Sequence, residues 1–275
     1  MNATVKDFRF GTGFRAGAEP QALARRARQL EDLGYDVLNI ADHLDMLAPF
    51  PVLTAAAQAT TTVRLGTYVL NACFYKPALL ARDIATLQTL ADDRLDIGLG
   101  AGYVREEFEA AELPFPGARA RIAYLEHVTE HLKAQLTAVP ILIAGNGDRL
   151  LSVAARHADI IGFTGTRIAA GDDPLGERID IVRRAAGDRF GALELNLAIT
   201  AVPTDPSGIP DLSLPRKLAP ALSDDQLLTM PAVLSGSPQQ IADTLRGLRE
   251  AYGITYFNVQ HAHADAFAKV ITALR

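Results

Sequence analysis

Short apolar runs alternate with longer amphipathic ones along the whole chain. Residues 8–13 read as a strand, and residues 19–33 as a helix in which Leu23, Ala27 and Leu30 recur at helical spacing. Gly34 stops that helix, because glycine enters the left-handed C′ conformation at little cost. The alternation then predicts strands over 36–40, 63–70, 94–99, 140–144, 160–163, 193–202 and 254–260. Between them the spacing predicts helices over 53–60, 77–91, 118–136, 148–157, 175–190 and 239–252, with a closing helix over 265–274. Ser237 and Pro238 mark one helix start as N-cap and first-turn proline.

Strands that alternate with helices predict a parallel sheet with right-handed crossovers. Eight such units in 275 residues are about 34 residues each, which suits an α/β fold of the (β/α)₈ TIM-barrel type over a single domain, residues 1–275. The rival, an open doubly wound sheet, has fewer strands and one nucleotide site at a switch point. Residues 204–222 break the rhythm. Pro206, Gly208, Pro210, Pro215 and Pro220 argue against a regular helix there, leaving an ordinary loop or a lid over a substrate.

Composition narrows the class. With 49% hydrophobic and 21% charged residues the chain can bury a large core, which excludes intrinsic disorder. No apolar run is long enough to span a bilayer. The net charge of −5 is spread without blocks, so neither nucleic acid nor a membrane surface is an expected partner. The first ten residues carry Lys6, Asp7 and Arg9 where a secretory leader would be apolar. A lone Cys73 rules out a disulfide framework and a cysteine-based zinc site. The expectation is a soluble, cytoplasmic protein that takes a small-molecule substrate.

In a barrel, chemistry sits just after each strand. The second strand ends in Asp42-His43, a carboxylate and an imidazole that could orient or protonate a ligand, or could simply cap the next segment. Gly66 inside the third strand suggests a bulge, and Cys73 reads as a structural thiol. The fourth strand ends Gly98-Leu99-Gly100-Ala101-Gly102-Tyr103; the dinucleotide fingerprint fails because Tyr103 replaces its third glycine. A flat ligand could still approach this backbone closely. Gly145-Asn146-Gly147 precedes a helix whose first N–H groups would attract phosphate, with Asp148 as N-cap. His261 and His263, without carboxylate company, make a poor metal site, and no metal is expected.

Taken together, these strand ends resemble the bacterial-luciferase-like superfamily of flavin and deazaflavin oxidoreductases, in particular its branch dependent on coenzyme F-420 (F420, a deazaflavin). The resemblance is carried by residues 34–44, 63–108, 140–163 and 233–257, with Pro77-Ala78, Ala85-Thr86-Leu87 and Arg94-Leu95 at family spacing. It implies a (β/α)₈ barrel holding the ring at its C-terminal mouth. It places Asp42 on the cofactor and His43 near the reacting centre, with Tyr103 as a second proton donor. A non-proline cis peptide at Tyr68–Val69 would back the ring. Asn71, Ala101 and Gly102 would line the ring and its polyol arm, and Gly145, Asn146 and Gly147 would receive the phosphate. Relatives that oxidise sugar phosphates have an acid at the position of Tyr103, so that substrate is not expected. The segment before the strand at Pro140 is shorter than in typical members, which would reshape one wall of the pocket. Hydride transfer to or from a small organic substrate is the leading expectation. The alternatives are an FMN-dependent monooxygenase and a cofactor-free binding protein or cyclase. Relatives are often dimers, which implies a homodimer.

Overall fold

A computed structural model describes residues 7–14, 19–164 and 173–275. Of the three N-terminal charges named above, Lys6 lies outside the described residues, and Asp7 and Arg9 lie within them. Nine strand segments form one parallel sheet that closes on itself: β1 (Arg9–Gly13), β2 (Val37–Ile40), β3 (Arg64–Thr67), β4 (Leu70–Asn71), β5 (Leu95–Gly100), β6 (Ile141–Ala144), β7 (Ile160–Thr164), β8 (Glu194–Ile199) and β9 (Ile254–Val259). β3 and β4 are two parts of one stave, and β3 also pairs with β5, so the barrel has the eight staves expected.

The outer layer is α1 (Pro20–Asp32), α2 (Pro49–Ala59), α3 (Pro77–Leu90), α4 (Arg105–Ala110), α5 (Ala118–Gln135), α6 (Asp148–His157), α7 (Pro174–Ala186), α10 (Pro238–Tyr252) and α11 (Ala264–Leu274). Two short helices, α8 (Ser213–Leu218) and α9 (Asp224–Leu228), lie between β8 and α10. Proline starts α2, α3, α7 and α10, where its missing N–H breaks no helical bond. Pro49 also explains why α2 begins before the 53–60 stretch. The third stave does not run unbroken over 63–70: it is interrupted at Tyr68 and Val69.

The proline-rich segment also departs from expectation. Pro215 sits inside the first turn of α8, so the backbone is helical where Pro content argued against it. Ala201, Leu212, Leu227 and Val233 form a small core of their own beneath this segment.

The main hydrophobic core lies between barrel and helices, where strand residues such as Phe10, Leu65, Ile97 and Phe257 meet Leu30, Ile84, Leu132 and Phe267. The barrel interior is more polar. At its N-terminal end Arg9 pairs with Asp96 and, at 2.6 Å, with Glu194, while Arg64 reaches Asp96 at 2.8 Å. Above them the Asn39 amide donates to Tyr256 Oη at 3.0 Å and to Asn258 Oδ1 at 2.8 Å. A side chain at Gly11 would stand 2.7 Å from both the Asn258 and Tyr256 oxygens, so only glycine leaves room for this layer. The filled lower barrel directs any ligand to the C-terminal rim.

Candidate active site

The rim residues singled out in the sequence fall on four successive staves: β2, the split third stave, β5 and β6. The third stave is the centre of the arrangement. The Thr67 hydroxyl donates to Gly98 O at 2.8 Å, and Gly98 N–H donates back to it at 2.9 Å. The next peptide, Tyr68–Val69, is cis, as the resemblance implied. Tyr68 turns into the barrel and donates its O–H to Asn196 Oδ1 at 2.8 Å.

Packing against this bulge explains the glycines of β5. A Cβ at Gly98 would lie 2.1 Å from Thr67 O, one at Gly100 2.7 Å from Val69 Cγ2, and one at Gly102 2.4 Å from Asn71 Oδ1. The glycines that imitate a dinucleotide fingerprint are there because the bulge fills their space. Asn71 Oδ1 also accepts from Cys73 N–H at 3.2 Å, and the Ala101 carbonyl faces Cys73 Sγ at 3.8 Å.

Asp42 follows β2 and is only partly exposed. Its Oδ2 accepts from Asn71 N–H at 3.0 Å and from Tyr75 O–H at 3.1 Å. Burial raises its carboxyl above the usual carboxylate range, and these two donors and the adjacent His43 offset part of the rise. Tyr75 is itself fixed, its carbonyl accepting from Tyr124 O–H at 2.9 Å. His43 turns the other way: its Nδ1 is 2.7 Å from Glu107 Oε1 on α4. The Tyr103 ring stands edge-on to the imidazole, centroids 6.5 Å apart, and is 74% exposed. A cleft of about 500 Å³ opens beside His43, between residues 43–46 and the face of α4 that carries Glu106, Glu107 and Ala110.

Gly145, Asn146 and Gly147 stand on the next stave. The Asn146 amide clips the end of β7, its Oδ1 accepting from Thr164 N–H at 3.0 Å and its Nδ2 donating to Thr164 O. Gly147, not Asp148, is the N-cap of α6; Asp148 is the first helical residue and pairs with Arg178 of α7. Arg178 also donates to the Asn146 carbonyl at 3.4 Å. A Cβ at Gly147 would meet no described atom within 4 Å, whereas the β5 turn is filled.

The sequence reading missed Glu107 and Tyr75. The pair Glu106-Glu107, on the first turn after the glycine-rich strand end, was the available signal for the first; nothing local signals the second. His263 is buried, and burial lowers its pKa, an effect that a backbone hydrogen bond with Thr200 and the charge of Asp211 oppose. Among the described residues, one group with metal-ligand spacing, Glu126, Glu130 and His157, lies on α5 and α6 away from the rim, and Arg156 already pairs with Glu126 at 2.6 Å.

Residues 4–132 match the family model described as luciferase-like monooxygenase. A stretch of 148 residues is 32% identical to an F420-dependent glucose-6-phosphate dehydrogenase of Intrasporangium calvum, covering 49% of this chain and 44% of that protein. Another of 107 residues is 33% identical to a 5,10-methylenetetrahydromethanopterin reductase of Methanopyrus kandleri, covering 39% of this chain and 30% of that one. The chain thus spans about half or less of the length of these curated relatives. In structure it is similar to an F420-dependent secondary alcohol dehydrogenase solved with an F420–acetone adduct, with a TM-score of 0.76, 18% identity, and coverage of 98% of this chain and 100% of that one. That likeness speaks for the fold. Among the described residues no helix is long and apolar enough to cross a membrane.

Proposed function

We propose that this chain, whose residues 4–132 match the luciferase-like family model, is a member of that family and an F420-dependent oxidoreductase acting on a small organic substrate. The observation that carries the reading is the convergence of Asp42, His43, the Tyr68–Val69 bulge and Gly102 on adjacent staves of one rim. The names of the curated relatives support the deazaflavin over FMN.

The residues fit such a cofactor. The bulge, held down by Tyr68 and Val69, offers a rigid backing for a flat ring. Asn71, Ala101 and Gly102 lie beside it with Asp42. The open turn at Gly147, at the start of the ten-residue α6 and beside Arg178, suits an anionic arm through its backbone donors. Asp148 does not spoil it, because Arg178 neutralises that carboxylate.

When bound there, the deazaflavin supplies the carbon that takes or gives a hydride, and the protein supplies position and a proton path. His43 is the acid or base that serves the substrate atom next to the reacting carbon, and Tyr103 is the second candidate. The cleft beside His43 carries Asp45, Glu106 and Glu107 on its walls with no lysine or arginine among its lining residues. A phosphorylated substrate would be repelled there, so the substrate is neutral or cationic where it meets α4. The lone cysteine fits a reducing, cytoplasmic setting.

Titrating the purified full chain with F420 and with FMN, read by ring absorbance, tests the proposal. Binding of F420 at micromolar concentration or below, and weaker binding of FMN, is expected. Tight binding of FMN alone would turn the reading to a monooxygenase, and binding of neither would end it.

A further inference from the structure

Nothing in the resemblance assigns a role to Glu107, yet it is the side chain that holds the imidazole of the site. We propose that Glu107 is the positioning residue of His43: its carboxylate keeps the imidazole proton on Nδ1, so that Nε2 is the atom presented to the substrate. The inference rests on the reading of His43 as the acid–base group.

Three observations carry it. The first is distance: Nδ1 and Glu107 Oε1 are 2.7 Å apart, the separation of a short charge-assisted hydrogen bond. The second is burial. The Glu107 side chain is 16% exposed against 33% for His43, so the carboxylate is the group with less water and more need of a donor. The third is anchorage. Phe108, the next residue of α4, is 1% exposed and packs edge-on against Phe74 and Phe115, with ring centroids 5.2 and 5.0 Å apart. A carboxylate beside such an anchor has little freedom to leave its partner. Asp42, the other acid next to His43, has its Oδ2 committed to Asn71 and Tyr75, which leaves Glu107 as the acid that orients the ring.

The consequence is a defined proton path. In oxidation the substrate O–H or N–H proton passes to the Nε2 lone pair, and the imidazolium that forms keeps its Nδ1 proton hydrogen-bonded to the Glu107 carboxylate. In reduction the Nε2 proton moves the other way. Glu107 exchanges no proton; it fixes the tautomer and stabilises the positive ring.

Imidazole ¹⁵N NMR of the full chain, labelled at histidine and recorded without cofactor, gives a readout independent of turnover. His43 is assigned by its loss in His43→Ala. In the unmodified protein the neutral ring carries its proton on Nδ1. In Glu107→Ala it moves to the Nε2–H tautomer that free imidazole side chains prefer, whereas in Glu107→Gln, whose amide oxygen still accepts, it stays on Nδ1. Turnover with F420 falls about 10–100-fold in Glu107→Ala, with part of it restored in Glu107→Gln and with KM and cofactor affinity within about twofold of the unmodified protein. A wild-type ring protonated on Nε2, or a tautomer that ignores both substitutions, overturns the inference. A tautomer that switches as described in a protein that fails to turn over F420 supports it and sinks the functional reading instead.

Discussion

Two arcs of the barrel rim use the same residue types for different ends. On the arc from β2 to β5 the glycines are occupied by protein: Gly98, Gly100 and Gly102 each lie against an atom of the third-stave bulge, closer than a Cβ could tolerate. The carboxylate of that arc, Asp42, is turned inward onto Asn71 and Tyr75. On the arc carried by β6 and β7, Gly147 has no described atom within reach of a Cβ, and the acid, Asp148, lies on the surface with 73% of its side chain exposed, paired to Arg178. The first arc is a packed platform with an imidazole at its edge, and the second is a backbone turn that no described residue fills. A glycine in sequence does not say which of these it is; the atoms above it do.

The sharpest way to break this contrast is at the edge of the platform. His43→Ala should lower turnover with F420 by about 10²–10⁴-fold, the range for losing a positioned acid or base, while F420 affinity stays nearly unchanged. Equal losses in turnover and affinity would mean that His43 belongs to the cofactor's seat rather than to the chemistry.

Next in size is a matched pair of glycine substitutions. Gly98→Ala forces a methyl to within 2.1 Å of the Thr67 carbonyl oxygen, a backbone atom that cannot rotate away. It should destabilise the fold by about 1–3 kcal/mol or more and weaken F420 binding through the displaced bulge. Gly147→Ala meets no described atom, and because glycine outranks alanine as an N-cap it should cost about 0.5–1 kcal/mol, less than Gly98→Ala. Its larger effect should appear in F420 affinity, where the methyl crowds the arm of the ligand. Urea unfolding and the F420 titration run on both variants separate the cases, and a stability loss at Gly147 equal to that at Gly98 would erase the distinction between the arcs.

How far the sequence foretold this follows from the same contrast. The eight staves were legible because strand burial on both faces and helical spacing repeat along the chain, and the rim positions Asp42, His43, Gly102 and Gly147 followed from standing just after a strand. Gly66 signalled a bulge in the third stave, but its place was given by the resemblance and not by residues 63–70 themselves, since Tyr68 and Val69 are good strand residues; tertiary packing on β5 decides it. Glu107 escaped because its partner lies 64 residues earlier in the chain. The helix α8 escaped because Pro215 was counted as a breaker without regard to its place in the first turn.

On the second arc Asn146 gives a smaller effect. Its side chain makes both hydrogen bonds that tie the β6 turn to Thr164, so Asn146→Ala should cost about 1–3 kcal/mol by leaving backbone groups unpaired. Asn146→Asp should behave differently at the two ends, keeping the bond from Thr164 N–H and losing the one to Thr164 O. If thermal unfolding shows no loss in Asn146→Ala, the amide is free for a ligand and the division of labour on this arc has to be redrawn.

The smallest effect concerns the sign of pH dependence at the buried acid of the first arc. Burial raises the Asp42 pKa in the folded chain, so the folded form takes up its proton before the unfolded one does. Its stabilising contribution is therefore complete below the unfolded carboxyl value and is lost as pH rises through the raised folded value. Glu31, at the opposite end of the barrel, has the reverse sign. Burial would raise it, but N–H donors from Thr61, Thr62 and Val63 and the Thr62 hydroxyl outweigh burial and hold it at about 2, so its contribution is present above about 4.5 and fades as pH falls towards about 2. Asp42→Asn should accordingly stabilise the protein slightly at neutral pH, by less than about 1 kcal/mol, with the gain vanishing on acidification; Glu31→Gln should destabilise it at neutral pH, with the loss vanishing on acidification. Denaturation midpoints of both variants across pH 3 to 7 should therefore converge on the unmodified protein from opposite sides, and a common direction for the two would show that Asp42 is not the desolvated member of the pair.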